Sequence, residues 1–137
     1  MPKLIEGSTV IHAVGNKPKR IEEYVGRVNT QTEDVSVARM ISPEGWVEPG
    51  QTPEFDEYTV VLKGTLHVLT KKGNMEVKAG QAILVEKGEW VQYSSPELGG
   101  AAAPPPPRLK TFSWPKLTSL DTINTRLGAY QQMYPLD

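Results

Sequence analysis

Short apolar runs alternate with glycine-centred breaks along the middle of the chain, and the spacing of those breaks sets the expected fold. Between Gly45 and Ser95, the runs Tyr58–Leu62, Leu66–Leu69 and Ala82–Val85 are separated by turns at Gly64, Gly73, Gly80 and Gly88. Runs of about four to six residues punctuated this often are too short for helices, and predict antiparallel strands of a small sandwich or barrel. Phe55–Lys63 is the strongest strand, because Tyr58, Thr59, Val60 and Val61 all suit a pleated, half-buried surface. Lys63-Gly64 turns the chain into Thr65–Thr70, and Lys71–Asn74 forms a polar hairpin tip. Met75–Lys78, Gln81–Val85 and Trp90–Ser94 complete a meander.

The flanks carry weaker patterns. Thr9–Val14 and Ile21–Val28 are short candidates kept brief by Gly15 and Gly26, the second being either a strand or a helical turn. Val35–Ile41 is a better strand, apolar at Val35, Val37, Ala38, Met40 and Ile41. Ser42–Gly45 and Pro49–Pro53 are loops. After Ser95 the composition changes: Leu98–Pro107 reads LGGAAAPPPP, a surface spacer, or else a proline-motif ligand for a partner, whose prolines cannot donate to a β ladder. Leu109–Trp114 alternates well enough for one closing strand, ended by Pro115. Thr118–Asp121 has the form of a capping box, and Leu120, Ile123, Leu127, Tyr130 and Met133 follow at helical spacing. The pattern predicts an amphipathic helix over 119–132, packed on the barrel or on a partner subunit. The expected organisation is an N-terminal extension over 1–34, a barrel over 35–114 with its Pro-rich loop at 98–107, and a helix and tail over 115–137.

Composition narrows the function classes. The length, 137 residues, suits one domain. A net charge of −1 leaves no basic excess for neutralising phosphates, so no nucleic-acid partner is expected. The absence of cysteine removes thiol catalysis and cysteine-based zinc sites. Met1–Arg20 is too charged for a secretory signal, and no run approaches the ~18 apolar residues of a membrane span, so a cytoplasmic protein without a membrane partner is expected.

Two motif frames then identify the stretch as resembling the cupin superfamily. Its first motif, G-x5-H-x-H-x3–4-E-x6-G, is matched in spacing by Gly45, Gln51, Pro53, Glu57 and Gly64. Its second, G-x5-P-x-G-x2-H-x3-N, is matched by Gly80, Glu86, Gly88 and Val91. The resemblance implies an all-β fold, a small antiparallel β-barrel or jelly roll, here with a short C-terminal helix. Of the four residues that usually hold the family's metal only Glu57 is present, since Gln51, Pro53 and Val91 occupy the histidine positions. One carboxylate and an amide do not replace three imidazoles, so no metal and no cofactor is expected. His67 is read as a partly exposed strand residue, and His12 lies in the extension. The runs FDEYTVVLKGTLHV and EVKAGQAILVEKGEWVQYSSPE further resemble the cupin domain of the ethanolamine-utilisation protein Q family, over about residues 40–96. That family is linked to ethanolamine breakdown in bacterial microcompartments, and acetate-kinase activity has been ascribed to it. The activity is not carried over, because this chain has no G-x4-G-K-[ST] loop.

A barrel of this kind holds a small ligand in its mouth. If Glu57 faces inward, Thr59 shares its face by period two, and Tyr93 shares the parity of Val91. The expected ligand set is Trp46, Gln51, Glu54, Asp56, Tyr58, Thr59, Trp90 and Val91, an aromatic and carboxylate mixture suited to an amine, a sugar or a small acid. Glu57 is the candidate general base, with Tyr93 or Tyr58 as partner acid. The plainer alternative makes Glu57 a buried carboxylate hydrogen-bonded to its neighbours. Three functions follow: a small-molecule-binding cupin, with an accessory role in ethanolamine or carbohydrate metabolism; a cofactor-free isomerase, epimerase or lyase; or a structural or assembly protein of a microcompartment-like complex. Pairing of cupins through their first strands leads to the expectation of a homodimer.

Overall fold

The computed structural model describes residues 1–13, 15–96 and 120–127, and these residues form nine strands in two antiparallel sheets. The strands are β1 (Thr9–Ile11), β2 (Arg20–Val25), β3 (Val35–Ser42), β4 (Asp56–Lys63), β5 (Thr65–Thr70), β6 (Gly73–Lys78), β7 (Ala82–Val85), β8 (Val91–Ser94) and β9 (Leu120–Leu127). One sheet has the order β1-β2-β3-β9-β4-β7 and the other β6-β5-β8. The strands read between Thr9 and Ser94 are present with ends shifted by a few residues, and the segment at Ile21–Val28, left open between strand and helical turn, is strand β2.

Among the nine strands, the first passage from one sheet to the other takes a single residue. β4 ends at Lys63 in the larger sheet and β5 begins at Thr65 in the smaller one. Gly64, at φ 83°, makes this corner in a backbone region that side-chain-bearing residues seldom adopt. The smaller sheet is extended by an irregular segment. Residues 45–51 run along β8, with Ser95 N donating to Trp46 O, Glu48 N to Tyr93 O, and Gln51 and Val91 exchanging both backbone bonds. Alternation along this segment buries Trp46 and Glu48 and leaves Val47 exposed.

The helix expected over 119–132 is replaced, across 120–127, by strand β9. It lies between β3 and β4, paired with β3 from Val35↔Leu127 to Ser42↔Leu120 and with β4 from Asp56↔Leu127 to Lys63↔Asp121. Leu120, Ile123 and Leu127 match helical spacing, yet the burial alternates strictly: Leu120, Thr122, Asn124 and Arg126 point inward. Three β-branched residues, Thr122, Ile123 and Thr125, favour the extended form. The Pro-rich stretch 98–107, the expected strand 109–114 and the rest of the expected helix lie outside the described residues.

The apolar core sits between the sheets. Val61, Leu66, Val68, Val77, Val85, Val91 and Leu120 form its main cluster, closed at one side by Trp46 and Tyr93. Ile21, Ala38 and Met40 make a smaller cluster under β2 and β3.

Candidate functional site

The inward rows of β4 and β9 build the site. Glu57 lies opposite Arg126, Thr59 opposite Asn124 and Val61 opposite Thr122, so the β4 row runs from charged through polar to apolar and the β9 row turns apolar one step later, at Leu120. Each of these side chains is buried, Glu57 at 0% exposure. Buried polar groups are costly unless bonded, and here they bond across the strands. Arg126 Nε donates to Glu57 Oε2 at 3.1 Å, and Asn124 Nδ2 donates to Thr59 Oγ1 at 2.9 Å. From β8, Tyr93 Oη donates to Glu57 Oε1 at 2.5 Å. The guanidinium of Arg126 also lies 5.4 Å from the centroid of the buried Phe55 ring.

The opposite wall comes from the N-terminal segment and the 45–51 segment. Asn16 clamps the two together: its Nδ2 donates to Gly45 O at 3.1 Å and its Oδ1 accepts from Val47 N at 2.7 Å. This contact carries Lys19 across Trp46, placing Nζ 4.0 Å from the ring centroid. The residue as a whole is half-buried, and its amine end is the enclosed part. Burial lowers the Lys19 pKa to about 8; Arg126 adds to the effect, while the carboxylates of Glu48 and Glu57 partly oppose it. Burial also pushes the Tyr93 hydroxyl far above the ordinary phenol range, reinforced by the adjacent Glu57 charge and hydrogen bond.

Between these walls lies a cavity with about 320 Å3 of empty space, its opening to solvent included. Lys19, Glu48, Glu57, Thr59, Asn124 and Arg126 supply its polar lining, and Met40, Trp46, Leu66 and Leu120 its apolar lining. Of the residues singled out in the sequence, Trp46, Glu57, Thr59 and Tyr93 are brought together around this cavity. The others lie elsewhere. Tyr58 is on the outer face of β4, 41% exposed, because its parity is opposite to that of Glu57. Val91 is packed in the apolar cluster, and Gln51 pairs with it through the backbone. Glu54 is exposed, and Asp56 accepts from Lys87 N at 3.0 Å. Trp90 packs on Gly50, where a Cβ would come within 2.3 Å of its ring. Glu57 and Tyr93 are bonded to each other rather than arranged as separate base and acid, and the raised Tyr93 hydroxyl makes it a donor that holds its proton.

Lys19, Glu48, Asn124 and Arg126 were not singled out from the sequence. Asn124 and Arg126, with Thr122 beside them on β9, are readable as a period-two polar row once that segment is taken as extended. Lys19 sits in a charged stretch, KPKR, that carries no local signal of burial.

The residues at the metal positions of the cupin motifs do not suit a metal. Pro53 has no ligating side chain, Val91 is in the apolar core, and both oxygens of Glu57 are already engaged. Among the described residues, no group of three or more His, Cys, Asp or Glu could hold an ion. His67 faces outward and pairs with Glu76 at 2.8 Å, and His12 is exposed.

No family model matches the chain. Over 81 residues, or 59% of its length, the chain is 46% identical to the endoribonuclease YbeY of Myxococcus xanthus, and it spans 28% of the length of that curated relative. A solved structure of a putative ethanolamine-utilisation protein Q from Salmonella typhimurium is similar at TM-score 0.59 and 15% identity, covering 89% of this chain and 96% of that one. An RmlC-like cupin from Shewanella frigidimarina is similar at TM-score 0.61 and 11% identity, covering 93% of this chain and 89% of that one. The chain therefore has the cupin fold. Within that fold the ethanolamine-utilisation protein Q is among its structural neighbours, at an identity that speaks for architecture alone. No helix among the described residues is long and apolar enough to cross a membrane.

Proposed function

We propose that this cupin binds a small, polar, hydroxylated or amine-bearing molecule in the barrel, without a metal. The observation that carries this is the row of buried polar side chains lining a cavity that opens to solvent. A barrel stabilised only by packing would have apolar side chains here, as it does at the other end of the same strands. Thr59 and Asn124 supply neutral donors and acceptors, Trp46 a ring face, and Glu57 with Arg126 a fixed dipole. The name of the Myxococcus relative describes a protein of which this chain matches 28%, and a net charge of −1 gives RNA cleavage no support here.

Calorimetric titration with small polyols, amines and short-chain acids tests binding. Saturable heat is expected for at least one class, and it should disappear in Thr59→Leu, which fills the cavity while leaving the ion pair intact. Circular dichroism verifies that this variant folds. Unchanged binding in a folded Thr59→Leu would place the ligand elsewhere and overturn the proposal.

A further inference from the structure

We infer that the barrel cavity selects an uncharged polyol of five or six carbons, a small sugar or sugar alcohol, over amines and acids. This rests on the cavity being the ligand site. Two buried hydroxyls carry the inference. Ser42 on β3 is 1% exposed, Thr122 on β9 is 4% exposed, and both line the cavity. Among the described residues, neither hydroxyl has a hydrogen-bond partner. Their polar neighbours do: Thr59 and Asn124 bond to each other, and Glu57 bonds to Tyr93 and Arg126. A buried hydroxyl left unbonded costs stability, so two of them facing one cavity mark positions where something else supplies the bond.

The charged groups of the cavity favour a ligand without charge. Lys19 and Arg126 balance Glu48 and Glu57 in sign, and each of the four is already engaged. Glu57 is held by Tyr93 and Arg126, the Lys19 ammonium lies over the Trp46 ring, and Glu48 and Arg126 have further contacts. An ammonium or carboxylate brought in would lose its water and meet no uncompensated opposite charge. A ligand hydroxyl can donate to or accept from Ser42 and Thr122, and Thr59 Oγ1, which accepts from Asn124, keeps its own proton to donate. Spacing sets the length. Asn124 faces Thr59, Thr122 lies one inward step further along β9, and Ser42, paired with Leu120, lies one step beyond that. Inward residues repeat at about 7 Å, so this polar line runs about 14 Å between backbone positions, shortened at both ends by the side chains. Hydroxyls on five or six successive carbons match it, whereas a two-carbon molecule reaches one group only. Met40, Leu66 and Leu120 face the carbon-bound hydrogens of such a chain. The volume, about 320 Å3 with its opening, is at the small end of ligand sites and suits one such molecule rather than an oligosaccharide.

Calorimetric titration of the whole protein at pH 7 tests the inference with probes matched in size and differing in charge. The neutral probes are ribitol, xylitol, sorbitol, mannitol and galactitol; the charged ones are glucamine and gluconate, which keep the sorbitol skeleton. At least one neutral probe should bind saturably, and about ten-fold or more tighter than glucamine, gluconate or the two-carbon ethylene glycol. Thr122→Val and Ser42→Ala should each weaken that polyol about three- to ten-fold. Neither should lower the thermal midpoint, because each removes a buried hydroxyl that has no partner among the described residues; a hydroxyl with a merely structural role would lower the midpoint and spare binding. Unchanged polyol affinity in both folded variants overturns the inference. So does binding of glucamine, gluconate, ethanolamine or acetate as tight as that of every polyol; if Thr59→Leu abolishes that binding, the ligand site itself stands. If no probe of any class binds, both proposals fall.

Discussion

The two ends of the barrel interior are built from the same strands and differ in kind. Toward one end β4 and β9 present Val61 and Leu120, which pack with Leu66, Val68, Val77 and Val85. Toward the other, the same strands present Glu57, Thr59, Asn124 and Arg126. The apolar end is stabilised by removal of its side chains from water, a non-directional effect. The polar end depends on a few directed bonds, and losing one partner there leaves a charge or dipole buried alone. An interior that keeps both kinds of wall therefore separates a region that holds the fold from one that can hold a ligand.

The largest test of this contrast is Glu57→Gln. It neutralises the carboxylate that Arg126 Nε is bonded to in the buried interior and should lower unfolding free energy by about 3–5 kcal/mol in urea titrations. Combining Glu57→Leu with Arg126→Met should recover most of that loss, since a matched apolar pair removes both buried charges together. Failure of the double variant to recover would mean that the polar end is not electrostatically distinct. Next comes the pH response of Lys19, whose folded pKa is about 8 and whose ordinary value is 10.5. Between these values the unfolded chain holds the proton and the folded one does not, so stability rises with pH. The cost of burying the charge is fully present below pH ~8 and relieved by pH ~10.5, amounting to at most about 3 kcal/mol. Thermal unfolding across that window should show the rise in the parent protein and lose it in Lys19→Met. Tyr93→Phe removes the donor to Glu57 Oε1 and should cost about 1–3 kcal/mol, with the main loss in the unfolding midpoint. Smallest is Val68→Ala at the apolar end, about 1–2 kcal/mol and independent of pH between 6 and 10 on the order of measurement error.

How much of this was legible in the sequence follows the same division. Strands β4 to β8 lie along the apolar end or its continuation, where hydrophobic periodicity reports the core directly, and their order and turns were readable. The inward placement of Glu57, Thr59 and Tyr93 followed from period two once the motif frame fixed one position. β9 was misread because its inward face is mostly polar. With Thr122, Asn124 and Arg126 pointing in, the apolar residues Leu120, Ile123 and Leu127 fall on both faces and mimic a helical stripe. Lys19 was invisible for another reason: its burial depends on the Asn16 clamp, a contact made with residues about thirty positions away. Glu48 was passed over because an irregular segment that pairs with β8 looks, locally, like a loop.

The position of β9 also bears on how the chain is made. The strand sits in the middle of the larger sheet, and its partners β3 and β4 have no bonds to one another in its place. While a ribosome is still adding residues beyond Ser95, β3 and β4 therefore each present an eight-residue open edge, and the barrel wall cannot close. Such edges are templates for pairing with other nascent chains, so the late arrival of one strand makes synthesis the period of greatest exposure to aggregation.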